Sequence, residues 1–254
     1  MAFGIEKCRR LAEKQERERE LENANGRLMS SNRDLQDFAH VASHDLQEPL
    51  RKIRTFSERL NRSAAGRLTE QSAGDLNQIE AAATRMQTLI DELLVYSRVG
   101  NRASEPVVVG LNAVLDEVLA GSKAKLQRLG ATTDVGELPA ASVDERQMVQ
   151  LFSALLDNAV KFASPDRPLA VEVTGRLRDG QVTIVFSDNG IGFDSDDAEM
   201  IFEPFRRLHV RTDFGGAGMG LAVVRRIITR HNGIAVASGE PDKGATFTLH
   251  FPAV

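Results

Sequence analysis

The chain has no tryptophan, one tyrosine and one cysteine among its 254 residues. The single cysteine, Cys8, excludes an internal disulfide framework and any metal site built from several thiolates; it suits a reducing compartment. No apolar run approaches the roughly 18 residues that a membrane span needs, and the N-terminus lacks the apolar core of a secretory leader. A cytoplasmic chain without a membrane segment is therefore expected. An excess of one charge is missing too. The 32 basic and 36 acidic side chains leave a net charge of −4, so nothing favours a nucleic-acid partner. Aromatic content is low, as in helical bundles, but hydrophobic residues make up 42% of the chain and suffice for a core. The length allows one large or two modest domains.

Residues 5–37 are rich in Glu, Arg, Lys, Gln and Asn and contain no proline. Leu21, Leu28 and Leu35 recur at coiled-coil spacing, although Asn25 and Asn32 occupy a companion register. A parallel signalling helix over residues 1–30 fits, as does a solvated helical extension. From Leu35 an apolar stripe runs through Phe38, Ala42, Leu46, Leu50, Ile53, Phe56 and Leu60. At roughly 100° per residue these side chains fall within about 60° of one direction, and His44 points roughly 180° away. Pro49 should bend this helix and free the carbonyl of Asp45. A turn is expected over Asn61–Leu68, with Thr69 capping a second striped helix that carries Leu76, Ile79, Ala83, Met86, Ile90, Leu93 and Leu94. A lone hairpin cannot bury two such stripes, so two copies are expected to pair as a homodimeric four-helix bundle over residues 31–100.

Past a polar hinge at Asn101–Pro106 the pattern changes. Strands are predicted at 107–109, 131–135, 140–143, 169–177, 180–187, 234–239 and 244–251. Asp179-Gly180 is a hairpin turn. Helices are predicted over 111–129, from an Asp144 cap to about 162, and over 218–231, with a long loop at 190–216. Antiparallel hairpins with three helices imply an α+β fold, a two-layer sandwich over residues 101–254.

Three short blocks in this half carry chemistry. Asp188 ends a strongly hydrophobic strand and is followed by Gly190 and Gly192. A buried carboxylate there can accept a hydrogen bond from an exocyclic amine, and the glycines permit close backbone approach; an Asx-turn ending a strand has the same spelling. Gly216, Gly218, Gly220 and Leu221 lead into a helix, where free N–H groups and the helix dipole attract anions. A flexible linker is the alternative, and neither a Walker loop nor a dinucleotide fingerprint fits. Asn158 offers an uncharged oxygen that suits Mg²⁺, Asp157 could orient a metal-bound water, and Lys161 could meet phosphate. Each could equally be an ordinary polar-face residue. Upstream, His44 is followed by Asp45. A neutral imidazole is a good nucleophile toward phosphorus, and an adjacent acid can take its other ring proton. His40 competes but lacks a following acid.

Taken in order, these blocks resemble the sensor histidine kinases of two-component signalling. Phe38-Ala-His-Val-Ala-Ser-His44-Asp45-Leu-Gln-Glu-Pro49-Leu50-Arg51 is similar to the family's H box. Asn158-Ala-Val-Lys161-Phe162 is similar to the N box, Asp188-Asn-Gly190-Ile-Gly192 to G1, Phe202-Glu-Pro-Phe205 to the F box and Gly216-Ala-Gly218-Met-Gly220-Leu221 to G2. The wording around His44 is most similar to kinase modules that follow phytochrome or PAS photosensors. The resemblance implies a dimerising phosphotransfer hairpin followed by a GHKL (Bergerat) ATP-binding domain, cut from a longer protein whose sensor is absent from this chain. His44 would be the phosphoacceptor, Asp45 its base, Asn158 the Mg²⁺ ligand and Asp188 the reader of adenine. Residues 193–215 would form an ATP lid anchored by Phe202 and Phe205 and made basic by Arg206, Arg207 and Arg211. The partner would be a response-regulator receiver domain. A GHKL ATPase of the gyrase or chaperone kind and a degenerate dimeric scaffold are the rival readings.

Two positions depart from the family pattern. Ala154 stands where a second N-box Asn is frequent, and Glu48 stands where Thr or Asn supports phosphatase activity. Phosphatase activity is therefore expected to be weak, and a phosphorylated receiver mixed with this protein and ADP should keep its label. Analytical ultracentrifugation at micromolar concentration should show a dimer; a monomer would contradict the bundle.

Overall fold

A computed structural model of the chain describes residues 43, 46–64, 68–101, 105–208 and 217–253. The heptad leucines, His40, His44, Asp45, Arg211 and Gly216 lie outside the described residues, as does the carbonyl that Pro49 was expected to free. Two helices come first: α1 over residues 46–63 and α2 over Glu70–Asn101. Thr69 caps α2 as expected, its Oγ1 accepting the Ser72 N–H at 3.2 Å. Helix α1 runs three residues into the expected turn. Its last polar side chains bond back to the helix, Arg62 Nε to the Glu58 carbonyl and Ser63 Oγ to the Leu60 carbonyl.

Within one chain this hairpin buries little. Leu50, Ala83, Ile90 and Leu94 form a small cluster. Leu46, Ile53, Phe56, Leu60, Ile79 and Met86 each stay more than 40% exposed. The predicted stripes are thus present but uncovered, the condition of apolar faces that need another layer.

The remaining elements are β1 (Val107–Gly110), α3 (Leu111–Arg128), β2 (Thr132–Val135), β3 (Ala140–Val143), α4 (Glu145–Lys161), β4 (Ala170–Arg178), β5 (Gln181–Asp188), α5 (Gly220–Arg230), β6 (Ile234–Glu240) and β7 (Gly244–Pro252). Five strands form a mixed sheet in the order β2-β4-β5-β7-β6, and β1 pairs with β3 separately. The expected antiparallel pairing holds for β4–β5, β5–β7 and β6–β7. It does not hold for β2, which lies parallel to β4. The chain between these two strands passes through β3 and α4, and such a crossover returns in the same direction. Asp179 and Gly180 take φ of 52° and 74°, the paired left-handed conformation of a two-residue hairpin turn.

Asp144 caps α4 by accepting the Gln147 N–H. From there Leu151, Phe152, Leu155 and Leu156 recur at helical spacing and bury against Val173, Ile184, Phe186 and Phe247 of the sheet, with Val224 and Ile228 of α5 beside them. The end of α2 joins this core through Val99. The Val99 carbonyl accepts hydrogen bonds from Gln147 Nε2 and Arg230 Nη1, both at 3.3 Å, and the Arg226 guanidinium lies 4.3 Å above the Tyr96 ring. The helical hairpin and the α+β sandwich therefore meet along α2 and α5. Among the described residues no helix is long and apolar enough to cross a membrane.

Candidate functional site

Strand β5 is apolar on its helix-facing side up to Phe186 and then delivers Asp188 to the sheet's edge, still buried. Its Oδ1 accepts the Gly190 N–H at 2.9 Å, and the Ala245 N–H of β7 also reaches the carboxylate. Burial pushes the Asp188 carboxyl above its ordinary range, and these two backbone donors pull the other way. Two close approaches make this arrangement possible. A Cβ at Gly190 would sit 2.4 Å from the Phe162 carbonyl oxygen, and one at Gly244 (φ 117°) would sit 1.9 Å from the Asp188 carbonyl oxygen. Gly244 was not singled out from the sequence; only the pairing of β5 with β7 reveals why it has no side chain.

Asp188 opens into a cavity of about 500 Å³, a size suited to a small ligand. Helix α4 supplies one wall through Asn158, Asp157, Lys161 and Ala154. The Asp157 carboxylate is not free there, because Lys125 of α3 holds its Oδ1 at 2.8 Å. Burial lowers the Lys161 pKa, as does the neighbouring Arg207 charge, while Glu92 opposes them. Gly218 (φ 78°), Gly220 and Leu221 form the wall at the start of α5, and a Cβ at Gly218 would collide with the Arg206 carbonyl. Arg206 and Arg207 line the cavity as well, with Arg206 Nε also held by Glu203 Oε2 at 3.0 Å.

The structure brings Asp157, Asn158, Lys161, Asp188, Gly192, Arg206, Gly218, Gly220 and Leu221 to this one cavity. Gly190 stands behind it as a support for Asp188. Phe205 departs from the expectation that it anchors the lid or lines the site: its φ of 63° turns it outward, half exposed, and it does not line the cavity. Phe202 is the buried one of the pair, 2% exposed, edge-on to Phe247 at 6.5 Å and covered by the Arg225 guanidinium. Sequence reasoning also missed the contribution of α2. Asp91, Glu92 and Val95 line the cavity, and Glu92 Oε1 accepts the Ala217 N–H at 3.2 Å. Those residues carry no signal in sequence, since they reach the site only through the docking of α2 on α5.

Two family models match the chain. The phospho-acceptor domain described as His Kinase A matches residues 34–102. The domain described as Histidine kinase-, DNA gyrase B-, and HSP90-like ATPase matches residues 143–254. The chain belongs to the sensor histidine kinases. Among curated relatives, the kinase is 35% identical over 225 residues to the phytochrome-like protein Cph1 of Synechocystis, covering 89% of this chain and 30% of Cph1. It is 32% identical over 237 residues to the methanogenesis regulatory histidine kinase FilI of Methanothrix harundinacea, covering 92% of this chain and 26% of FilI. The kinase thus spans less than a third of these relatives' lengths. Among solved structures it superposes on full-length ShkA, determined in complex with AMPPNP, with a TM-score of 0.61 at 26% identity, over 85% of this chain and 45% of ShkA. The fold also matches ThkA, with a TM-score of 0.59 at 21% identity, over 86% of this chain and 61% of ThkA. These matches establish the GHKL-type ATP-binding domain behind a phospho-acceptor helical region.

The raised Asp188 carboxyl sets a pH dependence. With Asp188 as the adenine acceptor, the role proposed below, protonation would leave a weaker acceptor, so ATP affinity should fall on acidification, beginning above the usual carboxylate range. Folding stability has the opposite sign. A carboxyl whose pKa is raised on folding binds its proton more tightly in the native state, so its contribution rises as pH falls. Asp188→Asn should weaken ATP binding on the order of 10-fold or more, the value of a hydrogen bond to a charged group. It should also flatten both pH trends, as read by calorimetric titration and thermal melting across pH.

Proposed function

We propose that this kinase binds Mg²⁺-ATP in the cavity, phosphorylates His44 and passes the phosphoryl group to an aspartate of a response-regulator receiver domain. The supporting observation is the joining of Asp188, Asn158, Lys161 and the Gly218–Leu221 helix start around one cavity. In this reading Asp188 accepts a hydrogen bond from the adenine amino group. The backbone at Gly218 and Gly220 approaches the phosphates, and Lys161 and Arg206 offset their charge.

The residues fit a magnesium site of the kind completed by substrate. Asn158 presents one neutral oxygen donor to the cavity, and no cluster of three His, Cys, Asp or Glu side chains occurs among the described residues. Magnesium ordinarily keeps waters and substrate phosphates and takes only one or two protein oxygens. When bound beside Asn158, the ion would supply positive charge to offset that of the phosphates. Asp157, held by Lys125, would orient a water beside Asn158. Ala154 lines the cavity where the frequent second Asn is lacking, so either a water would take that place or phosphate and Mg²⁺ affinity would be lower.

At the phosphotransfer step a His44 ring nitrogen attacks the γ-phosphorus in line. The N–P bond forms as the bond from phosphorus to the β–γ bridging oxygen breaks, ADP leaves, and the imidazole proton passes to Asp45. Catalysis is then mostly positioning and charge neutralisation.

The domain reading is a signalling helix over residues 1–30, a dimerising phosphotransfer hairpin over 31–100 and the ATP-binding domain over 101–254. The uncovered stripes of α1 and α2 favour a homodimer. A cytoplasmic module cut from a longer sensor protein is in keeping with the share of its relatives that the chain spans. The phospho-acceptor match upstream of the ATPase domain argues against a gyrase- or chaperone-type ATPase. A degenerate scaffold would bind ATP without labelling itself. His44→Gln should abolish acid-labile phosphate incorporation from radiolabelled ATP while leaving ATP binding intact. Retained labelling would move the acceptor elsewhere, His40 first.

A further inference from the structure

Arg167 lies in the connection between α4 and β4, outside every motif of the chain. Its guanidinium nevertheless makes three hydrogen bonds to backbone. Nε donates to the Asn189 carbonyl at 2.8 Å, and Nη2 donates to the Gly190 carbonyl at 2.8 Å and the Asp242 carbonyl at 2.5 Å. The first two carbonyls belong to the loop that leaves β5 just after Asp188. The third belongs to the turn that enters β7. These are the two segments whose N–H groups, at Gly190 and Ala245, reach the Asp188 carboxylate.

We infer that Arg167 is a positioning residue for base recognition: by clasping both backbone segments at once, it sets the spacing of the two donors that orient Asp188. The inference rests on the reading of Asp188 as the acceptor for adenine.

The surrounding bonds bear this out. Asn189 is fixed from the other side, its Oδ1 accepting the Ala170 N–H and its Nδ2 donating to the Pro168 carbonyl. The Asp242 N–H donates to the Ile191 carbonyl at 2.7 Å, so the two segments also touch directly. The β5–β7 ladder ends at the pair Asp188–Ala245, and beyond it the guanidinium ties the loop at Asn189 and Gly190 to the turn at Asp242. A planar fork with several fixed donors suits three carbonyls in different directions, whereas a lysine ammonium on a flexible stem cannot hold all three. A carboxylate that must meet one edge of a base has to be held to within a fraction of an ångström, and that precision comes from the groups behind it.

The test compares ATP with GTP, whose base presents a carbonyl where adenine presents its amine. Isothermal titration of the full chain with each Mg-nucleotide measures both affinities, and thermal melting reports folding. Wild type should prefer ATP. If it binds neither nucleotide, the reading of the cavity fails before the clasp is in question. Arg167→Met should raise the ATP Kd on the order of tenfold while moving the GTP Kd little, so that discrimination shrinks. Arg167→Lys should keep charge and fold and recover only part of the preference. If the Met variant melts early, the Lys variant decides alone. Equal losses for ATP and GTP, or an unchanged ATP Kd in either folded variant, would reduce Arg167 to a structural brace and overturn the proposal.

Discussion

The site depends on keeping one carboxylate oriented in a place that resists its charge. Asp188 sits at the end of an apolar strand, where burial raises its pKa, and only backbone donors from two neighbouring segments hold it in position. Charged groups are seldom buried without such partners. Much of the surrounding structure follows from that need. Gly190 and Gly244 have no side chain because Phe162 and Asp188 backbone oxygens occupy the space a Cβ would need. β7 must pair with β5 in the register that sets Ala245 opposite Asp188.

A second constraint is charge balance around the cavity. Lys161, Arg206 and Arg207 gather on one side, and without an anion their mutual repulsion is met by acidic groups from elsewhere in the fold. Glu92 of α2 does this for Lys161 and Glu203 for Arg206, and Lys125 in turn holds the neighbouring Asp157. The hairpin helix is therefore part of the cavity as well as a support for the phospho-acceptor segment. The hydrogen bond from the Ala217 N–H to Glu92 joins the two halves of the molecule at the start of the glycine-rich segment.

The local features were legible in the amino-acid order. Thr69 and Asp144 cap helices as read, because an N-cap bond spans only three residues. Asp179-Gly180 closes its hairpin for the same local reason. Gly190, Gly192 and Gly218 stand where a Cβ would meet backbone within 2.0–2.5 Å, which fits the reading of their motifs as close-approach glycines. Phe205 was misjudged because its side-chain direction follows a left-handed φ that residue type did not announce. Arg167, Gly244 and Glu92 were invisible, since each acts on a partner more than fifty residues away.

The order of residues alone determined the periodic helices, the strand alternation, the caps and the ordered motifs that identify a histidine kinase, because those signals arise from neighbours within a few positions. Tertiary structure decided the parallel placement of β2, the burial that shifts Asp188, the α2 wall of the cavity and the bracket around its mouth. Those depend on which distant segments touch, and contact between segments far apart in the chain is set by how whole apolar faces pack together rather than by any local pattern.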